Sequence, residues 1–180
     1  LDAIKHNYEA IRKHIPHGVE IMAIVKADAY GHGATKVASL LQSEGVNRFA
    51  VAIVKEGEEL RERGITSPIL ILGYTPRADI KALIENNLTQ TVFSYEMAKV
   101  ISDEAKKLGK TVNIHIKVDT GMGRIGFLSS PQSIEEVKMI ASLPYLNLEG
   151  IFTHFSTADE KDTIYTKKQW HIFSGFLNEL

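Results

Sequence analysis

The sequence predicts an α/β protein in which strands and helices alternate along the chain to form a parallel sheet. Short apolar runs begin near positions 21, 48, 69, 89, 112 and 147, a helical pattern follows each of them, and no hairpin signal separates them. Strict alternation of this kind implies parallel strands joined by right-handed crossovers. We expect the first six units of a (β/α)8 TIM-type barrel, which takes about 250 residues, although a doubly wound sheet could close with six strands.

Helices are indicated by apolar residues at spacings of three and four and by capping residues. In the first helix, Ile4, Tyr8, Ile11 and Ile15 recur with this period. The first half of the chain is predicted to contain a helix capped by Asp2 and closed by Pro16, a strand over Ile21–Val25, a helix from Ala34 to Gly45, a strand over Phe49–Val54, a helix over Lys55–Arg63, a strand over Ile69–Leu72 and a helix opened by Thr75 and Pro76. The second half is predicted to contain a strand over Thr89–Phe93, a helix capped by Ser94 and ended by Gly109, a strand over Val112–Val118, a helix opened by Ser130 and Pro131, a strand over Leu148–Thr153 and a last helix that carries Trp170 and Phe173. The first and sixth strands would then be edges of the sheet.

The composition is that of an ordinary globular protein and excludes several classes of function. The 180 residues are 44% hydrophobic and 24% charged with a net charge of −1, which suits one domain with a substantial core. Lysine and arginine show no clustering that would indicate a nucleic-acid binder. The absence of cysteine fits a reducing compartment such as the cytoplasm. The longest clean apolar run, Phe49–Val54, is too short to span a bilayer, and no signal peptide is visible.

A lysine follows the first predicted strand in the segment IMAIVKADAYGHG, Ile21–Gly33. The apolar run ends at Lys26, and a loop of small residues with Tyr30 and two glycines precedes the next helix. In α/β folds, side chains converge on ligands at the carboxyl ends of parallel strands, so this lysine is placed for chemistry. The alternative is a solvated lysine just past a strand, which is the commoner case for a lysine considered alone.

A second segment, KVDTGMGRIG at Lys117–Gly126, contains the glycine spacing of dinucleotide-binding loops. The context does not support that function. In dinucleotide-binding loops the helix begins within the glycine run, but here the predicted cap is Ser130. The acidic residue expected about 20 positions later should end the next strand, whereas Glu149 falls at its start. A plain glycine-rich turn, in contrast, does not explain Arg124 within it.

Four side chains of different chemistry are expected at the carboxyl ends of the strands. Lys26 and Tyr30 follow the first strand, Arg124 follows the fifth, and His154 closes the sixth in GIFTHFSTAD. A histidine at a strand end is more often structural than catalytic, but barrel closure brings these strand ends around one mouth. Without clustered carboxylates, the set argues against metal or glycosidase chemistry. It fits a carbonyl cofactor held as a Schiff base.

Three motifs resemble the signatures of the bacterial alanine racemase family, whose members are fold-type III pyridoxal-phosphate enzymes. They are VKADAYGHG at Val25–Gly33, KVDTGMGRIG at Lys117–Gly126 and THFSTAD at Thr153–Asp159, and LDAIKHNY at Leu1–Tyr8 is similar to the family's first barrel helix. The resemblance covers the whole chain, so that residues 1–180 would be the cofactor-binding barrel domain. It implies a cytoplasmic, homodimeric enzyme that uses pyridoxal 5′-phosphate and no metal to convert L-alanine to D-alanine for peptidoglycan.

The resemblance also implies roles for individual residues. Lys26 would form the internal aldimine with the cofactor and act as the base on the D-alanine face. Tyr30 would bind the cofactor phosphate, Arg124 would contact the phenolic oxygen of the ring and the substrate carboxylate, and His154 would line the ring. In many members the lysine that matches Lys117 is carboxylated to a carbamate, which would give Arg124 an anionic partner.

Lys117 is the unusual residue of this set, because it lies in a strand that is expected to be buried. A buried ammonium is costly unless it is paired, and the potential neighbour Arg124 is also cationic. Carboxylation would turn this repulsion into an ion pair. The alternatives are that Lys117 points to solvent or pairs with Asp119.

A racemase needs a second base on the opposite face of the substrate. In the family this base is a tyrosine from the carboxyl-terminal β domain of the other subunit, so the resemblance puts it beyond Leu180 and implies that residues 1–180 alone are inactive. Two alternatives remain, a decarboxylase of the same fold type and a single-domain pyridoxal-phosphate homeostasis protein. The loop Ala29–Gly33 and the run Thr153–Asp159 favour the racemase.

Overall fold

The computed structural model describes all residues from Leu1 to Leu180 and consists of two compact units, Leu1–Gln90 and Thr91–Leu180. All the strand pairs within these units are parallel. This confirms the inference from strict alternation of strands and helices. None of the helices combines the length and the apolar character that crossing a membrane requires.

The first unit contains a four-stranded parallel sheet. Its elements are α1 (Asp2–His14), β1 (Met22–Ile24), α2 (Ala34–Ser43), β2 (Arg48–Val51), α3 (Val54–Glu62), β3 (Ile69–Ile71), a 3-10 turn (Arg77–Asp79), α4 (Ile80–Glu85) and β4 (Thr89–Val92), whose last two residues belong to the second unit. The strands follow the order β1-β2-β3-β4, with Phe49 opposite Ala23 on one side and Ile69 on the other. Neighbours in sequence are thus neighbours in the sheet, as in a barrel and unlike a doubly wound sheet. Phe49, Ile69 and Leu83 are fully buried in the core of this unit.

The second unit is organised around one long strand. Its elements are α5 (Tyr95–Leu108), β5 (Val112–Asp119), β6 (Phe127–Leu128), α6 (Pro131–Ala141), β7 (Leu146–Phe152) and α7 (Ile164–Glu179). β5 pairs in parallel with both β6 and β7. Ile101, Ile114, Ile116 and Phe176 are fully buried in its core. The short strand β6 was not predicted, because two residues are too few to show a periodic pattern.

A β-bulge lies in β7 opposite β5. Ile114 pairs with Leu148 but His115 pairs with Gly150, so Glu149 is the extra residue. The His115 Nε2 atom lies 3.2 Å from a carboxylate oxygen of Glu149. Gly150 leaves space for the His115 ring, because a Cβ atom at position 150 would lie 2.9 Å from it.

Capping residues in the second unit behave as predicted. Ser94 accepts a hydrogen bond from the Met97 N–H and caps α5, which ends at Gly109 with φ of 62°. Ser130 caps α6 by accepting from the Ser133 N–H. Local sequence signals therefore determine these helix ends.

Two capping predictions in the first unit are wrong. Asp2 is the first residue of α1 and not its cap, because Leu1 occupies the capping position and the Leu1 carbonyl already accepts from the backbone. Thr75 is buried, and its hydroxyl donates to the side chain of Gln90 instead of capping a helix. The helical segment consequently begins at Arg77, one residue after Pro76.

The predicted sheet edges are confirmed for both strands. β1 pairs with β2 alone and β7 pairs with β5 alone. In β1, Ile24 remains 41% exposed.

Candidate active site

Lys26 follows β1 and precedes four consecutive non-glycine residues in the left-handed conformation. Ala27, Asp28, Ala29 and Tyr30 have φ values of 50°, 54°, 52° and 56°. We call the segment Ala27–Tyr30 the left-handed turn. For L-residues this conformation costs roughly 1–2 kcal/mol each, or about 4–8 kcal/mol for the four. The sequence predicted an irregular loop here, so the regular left-handed geometry is a correction.

Two carboxylates hold the left-handed turn. The Ala27 N–H donates to the Glu56 carboxylate on α3 over 2.7 Å. The Asp28 carboxylate accepts from the Ala34 N–H at the start of α2 over 2.6 Å, and the Asp28 carbonyl accepts from the Gly33 N–H over 2.9 Å. Strain of this size persists only where surrounding contacts determine the backbone, which these bonds do.

Lys26 forms no ion pair and is half-buried after the end of β1. It lies 5.9 Å from the centroid of the Tyr30 ring, and Tyr30 itself is 63% exposed. Lys26 is thus neither buried nor fully exposed just past the strand. A lysine amine that is not paired with a carboxylate is suited to nucleophilic attack on a carbonyl compound.

Lys117 is buried inside the second unit, with 3% of its surface exposed. Its Nζ atom donates to the Val118 carbonyl over 3.1 Å and lies 5.4 Å from the centroid of the Phe152 ring. Burial lowers the pKa of Lys117, the Asp119 carboxylate partly opposes this effect, and the charge of Arg124 adds to it. The solvent-facing alternative is wrong, and Lys117 forms no ion pair with Asp119.

The loop after β5 is shaped by Asp119 and by glycines. One carboxylate oxygen of Asp119 accepts from the N–H groups of Gly121 and Gly123 over 2.9 and 3.1 Å. Burial alone would raise the pKa of Asp119, but these backbone bonds outweigh it and lower the pKa. Arg124 extends from this loop and is exposed. Because α6 begins only after Ser130, the glycines do not open a helix, and the dinucleotide-binding geometry is absent.

Gln169 on α7 is completely buried and connects the loop after β7 to the end of β5. Its Nε2 atom donates to the His154 carbonyl over 3.0 Å and to the Thr120 hydroxyl over 3.3 Å. Its Oε1 atom accepts from the Ser156 N–H over 3.0 Å. Sequence reasoning missed Gln169. The available signal was a polar residue one helical turn before Phe173 on the inward face of the last helix.

Helix α7 also holds the loop that carries Arg124. The Tyr165 hydroxyl donates to the Gly121 carbonyl over 2.8 Å. His154 lies two residues beyond the end of β7 and is exposed, so the strand begins two residues earlier and ends one residue earlier than predicted and does not reach His154. One helix therefore fixes the backbone on which Arg124 and His154 are displayed.

The predicted site residues are distributed over both units. Lys26 and Tyr30 belong to the first unit, and Lys117, Arg124 and His154 belong to the second. Within their units, Lys26 follows β1, Arg124 follows β5 and His154 follows β7, which are the carboxyl ends where α/β proteins carry their chemistry. No group of three or more histidine, aspartate and glutamate side chains is arranged to hold a metal ion.

Parallel βα units with consecutive strands as neighbours, and with polar side chains after the strands, define a protein of the (β/α)8-barrel class. A solved structure confirms this class: alanine racemase from Clostridium difficile 630 in complex with cycloserine is 45% identical, has a TM-score of 0.98 and covers 100% of this chain and 50% of that chain. The chain belongs to the family described as alanine racemase, N-terminal domain, whose model matches residues 1–180. The resemblance based on three motifs is thereby confirmed.

Other relatives agree with this family. Alanine racemase from Clostridium perfringens (strain SM101 / Type A) is 52% identical over 176 residues, which are 98% of this chain and 45% of that protein. A histidine racemase from Leuconostoc mesenteroides is 32% identical with a TM-score of 0.89 and covers 96% of this chain and 46% of that chain. The chain spans about half the length of the curated relatives that it matches.

Proposed function

We propose that this chain is the cofactor-binding barrel domain of a pyridoxal-phosphate-dependent alanine racemase. The observation that carries the proposal is Lys26, a half-buried lysine without an ion pair after the end of β1 in a chain of this family. The longer relatives support a second, carboxyl-terminal domain in the whole enzyme. In this proposal the enzyme is a cytoplasmic homodimer that supplies D-alanine for peptidoglycan precursors.

The residues present fit this cofactor by their chemistry. The unpaired amine of Lys26 matches its aldehyde, the exposed hydroxyl of Tyr30 matches its phosphate, and the exposed guanidinium of Arg124 matches its phenolic oxygen and the substrate carboxylate. His154, whose backbone is held by Gln169, would line the ring. When bound, pyridoxal phosphate stabilises negative charge at the substrate Cα atom.

Lys26 has two tasks in the proposed reaction. It holds the cofactor covalently, and it removes or returns the Cα proton on the D-alanine face. Inversion also requires a base on the opposite face, and none of the residues 1–180 is assigned that task. We therefore expect residues 1–180, supplied with pyridoxal phosphate, to form D-alanine from L-alanine far more slowly than the full-length protein. Activity within about tenfold of full length would show that the second base lies in this chain.

We further propose that Lys117 is carboxylated. Its burial and lowered pKa favour the neutral amine, whose nitrogen bonds to the carbon of CO2 and releases one proton to leave an anionic carbamate. The carbamate would orient the guanidinium of Arg124 and replace the repulsion between two cations by attraction. This would account for a lysine in the core that lacks a carboxylate partner.

Replacement of Lys117 tests this modification. Lys117→Ala in the full-length protein is expected to lose activity and to regain part of it with added formate or acetate, which can occupy the vacated anion site. Lys138→Ala, which removes an exposed lysine on α6, serves as the control. Full activity of Lys117→Ala without added carboxylate would contradict the proposal.

Borohydride reduction tests the central assignment. After incubation of the full-length protein with pyridoxal phosphate, reduction should attach a pyridoxyl group to Lys26 that peptide mass analysis locates. Lys26→Ala should carry no such group, whereas Lys36→Ala, which removes an exposed lysine on α2, should retain it. A stoichiometric adduct on any other lysine would show that the assignment is wrong.

The histidine racemase among the structural neighbours favours one second candidate, racemisation of another amino acid. Comparison of kcat/KM for alanine, serine and histidine with the full-length protein separates the two. Alanine is expected to be the best substrate, since the more similar relatives carry that name.

A further inference from the structure

We propose that Glu56 is a positioning residue for Lys26, because its carboxylate fixes the backbone amide that follows the lysine. The inference rests on the proposed function of Lys26 and adds a residue that the sequence motifs do not contain. The two carboxylate oxygens of Glu56 accept hydrogen bonds from two different segments of the chain.

One oxygen of Glu56 serves the helix to which it belongs. Glu56 is the third residue of α3, and its Oε2 atom accepts from the N–H groups of Ala52 over 2.7 Å and Ile53 over 3.3 Å. Ile53 occupies the capping position but has an apolar side chain, so it cannot provide a cap of its own. Glu56 therefore satisfies donors at the amino end of α3 and places negative charge there.

The other oxygen of Glu56 serves a different segment. Its Oε1 atom accepts from the Ala27 N–H over 2.7 Å. Ala27 is the first residue of the left-handed turn and the immediate neighbour of Lys26. A helix cap needs only one oxygen, so this second bond is not explained by the needs of α3.

The bond matters because the left-handed turn is strained. Its four residues cost about 4–8 kcal/mol relative to ordinary backbone, and the N–H of the first residue has no partner within the turn. Without Glu56, Ala27 gains by relaxing toward a right-handed or extended conformation. A change in the Ala27 backbone redirects the adjacent Lys26 side chain.

Redirection of Lys26 affects proton transfer more than binding. A displacement of about 1 Å of a reacting group can reduce a rate by about a hundredfold, while the binding contacts of a flexible lysine adapt. Loss of the bond should therefore lower kcat more than it raises KM. It should also shift the pH dependence of kcat, because the surroundings of the amine change.

Glu56→Asp in the full-length holoenzyme separates positioning from capping. An aspartate at the third position of α3 still satisfies the helix end, but it is one methylene too short to reach Ala27 as well. We expect kcat for alanine racemisation to fall about tenfold to a hundredfold with KM changed less than about threefold. Hydrogen exchange at the Ala27 amide should accelerate, and the pH profile of kcat should shift. Glu59→Gln, an exposed position on the same helix, should change none of these.

The possible outcomes distinguish a failure of the proposed function from a failure of the positioning role of Glu56. If borohydride fails to label Lys26 in the unchanged protein, the proposed function fails and the inference fails with it. If Lys26 is labelled but Glu56→Asp keeps the original kcat, pH profile and Ala27 exchange, only the positioning role is wrong. If Glu56→Asp lowers thermal stability while these three measurements stay unchanged, Glu56 is a helix cap alone and the inference is overturned.

Discussion

The left-handed turn after β1 and the loop after β5 both require positive φ angles, but they obtain them in opposite ways. The left-handed turn uses alanine, aspartate and tyrosine. The loop after β5, which we call the glycine loop, Gly121–Gly126, uses glycine at the three positions 121, 123 and 126, with φ of 132°, 71° and 136°. Glycine adopts such angles without steric cost, so the glycine loop avoids the strain that the left-handed turn carries.

Available space explains part of the difference. A Cβ atom at Gly121 would lie 2.5 Å from the Tyr165 hydroxyl, and one at Gly126 would lie 2.5 Å from the Asp119 backbone nitrogen. In the left-handed turn, by contrast, the Tyr30 side chain extends into open space. The comparison teaches that close neighbours impose glycine more strictly than backbone angle does. In the left-handed turn the backbone accepts strain, and two carboxylates hold it.

The largest effect is expected in the glycine loop. Gly126→Ala should lower the free energy of unfolding by about 4 kcal/mol, of which about 2 kcal/mol is overpacking against Asp119 and about 2 kcal/mol is backbone strain. Gly123→Ala should cost only about 1 kcal/mol, because no atom lies within 4 Å of its added Cβ. Urea denaturation of the full-length protein measures both. Equal losses of unfolding free energy in the two variants would show that the backbone angle, and not the space for a Cβ atom, determines the cost.

The next largest effect on stability is expected in α7, the helix that holds the glycine loop. Gln169→Leu should lower the free energy of unfolding by about 2 kcal/mol, because it removes the hydrogen bonds of Gln169 to the His154 carbonyl, the Thr120 hydroxyl and the Ser156 N–H. Gln132→Leu on the exposed face of α6 is the control and should change stability by less than about 0.5 kcal/mol. A Gln169→Leu protein as stable as the control would mean that the Gln169 bonds do not stabilise the two loops.

A smaller, pH-dependent effect is expected at Asp119. Asp119→Asn keeps the shape but weakens two charge-assisted bonds to the glycine loop, which should cost about 1 kcal/mol at pH 7. The folded state lowers the pKa of Asp119 relative to the unfolded chain, so this stabilisation is complete above the unfolded pKa and is lost as pH falls through the folded pKa. The difference in stability between the two proteins should therefore shrink below about pH 4. A difference that stays constant from pH 7 to pH 3 would contradict the role of the charge.

The smallest effect is expected in the left-handed turn and has the opposite sign. Ala27→Gly should raise the free energy of unfolding by about 0.5 kcal/mol, because relief of left-handed strain exceeds the added entropy of the unfolded chain. Ala10→Gly, in the middle of α1, should lower it by about 1 kcal/mol. The bond from residue 27 to Glu56 uses the backbone and is retained. If both substitutions destabilise equally, the left-handed turn is not strained.

The course of the chain was predictable wherever local signals mark the ends of elements. Ser130 and Gly109 cap their helices in the structure as their residue types indicate. Thr75 has the residue type of a cap, but a buried partner at Gln90 takes its hydroxyl. A local signal is thus overruled when a contact from a distant part of the chain stabilises another arrangement.

The same contrast between local signals and distant contacts applies to the residues of the candidate site. The strand-end positions of Lys26 and Arg124 follow from periodicity, since the apolar runs before them end abruptly. The left-handed turn does not, because a carboxylate 29 residues away at Glu56 helps to impose it. Gln169 was missed for a similar reason, since its partner Thr120 is 49 residues away. Residues that support a site through backbone contacts leave little trace in a motif.

The bulge in β7 determines which deletion of a single codon preserves the strand pairing. Removal of Glu149 would make Leu148 and Gly150 consecutive, which leaves their partners in β5 unchanged and keeps Phe152 opposite Lys117. Removal of Ile151 would instead bring Phe152 opposite Ile116 and turn its ring to the other face of the sheet. An in-frame deletion at position 149 is therefore a route by which a lineage can lose the bulge while the surroundings of Lys117 are inherited intact.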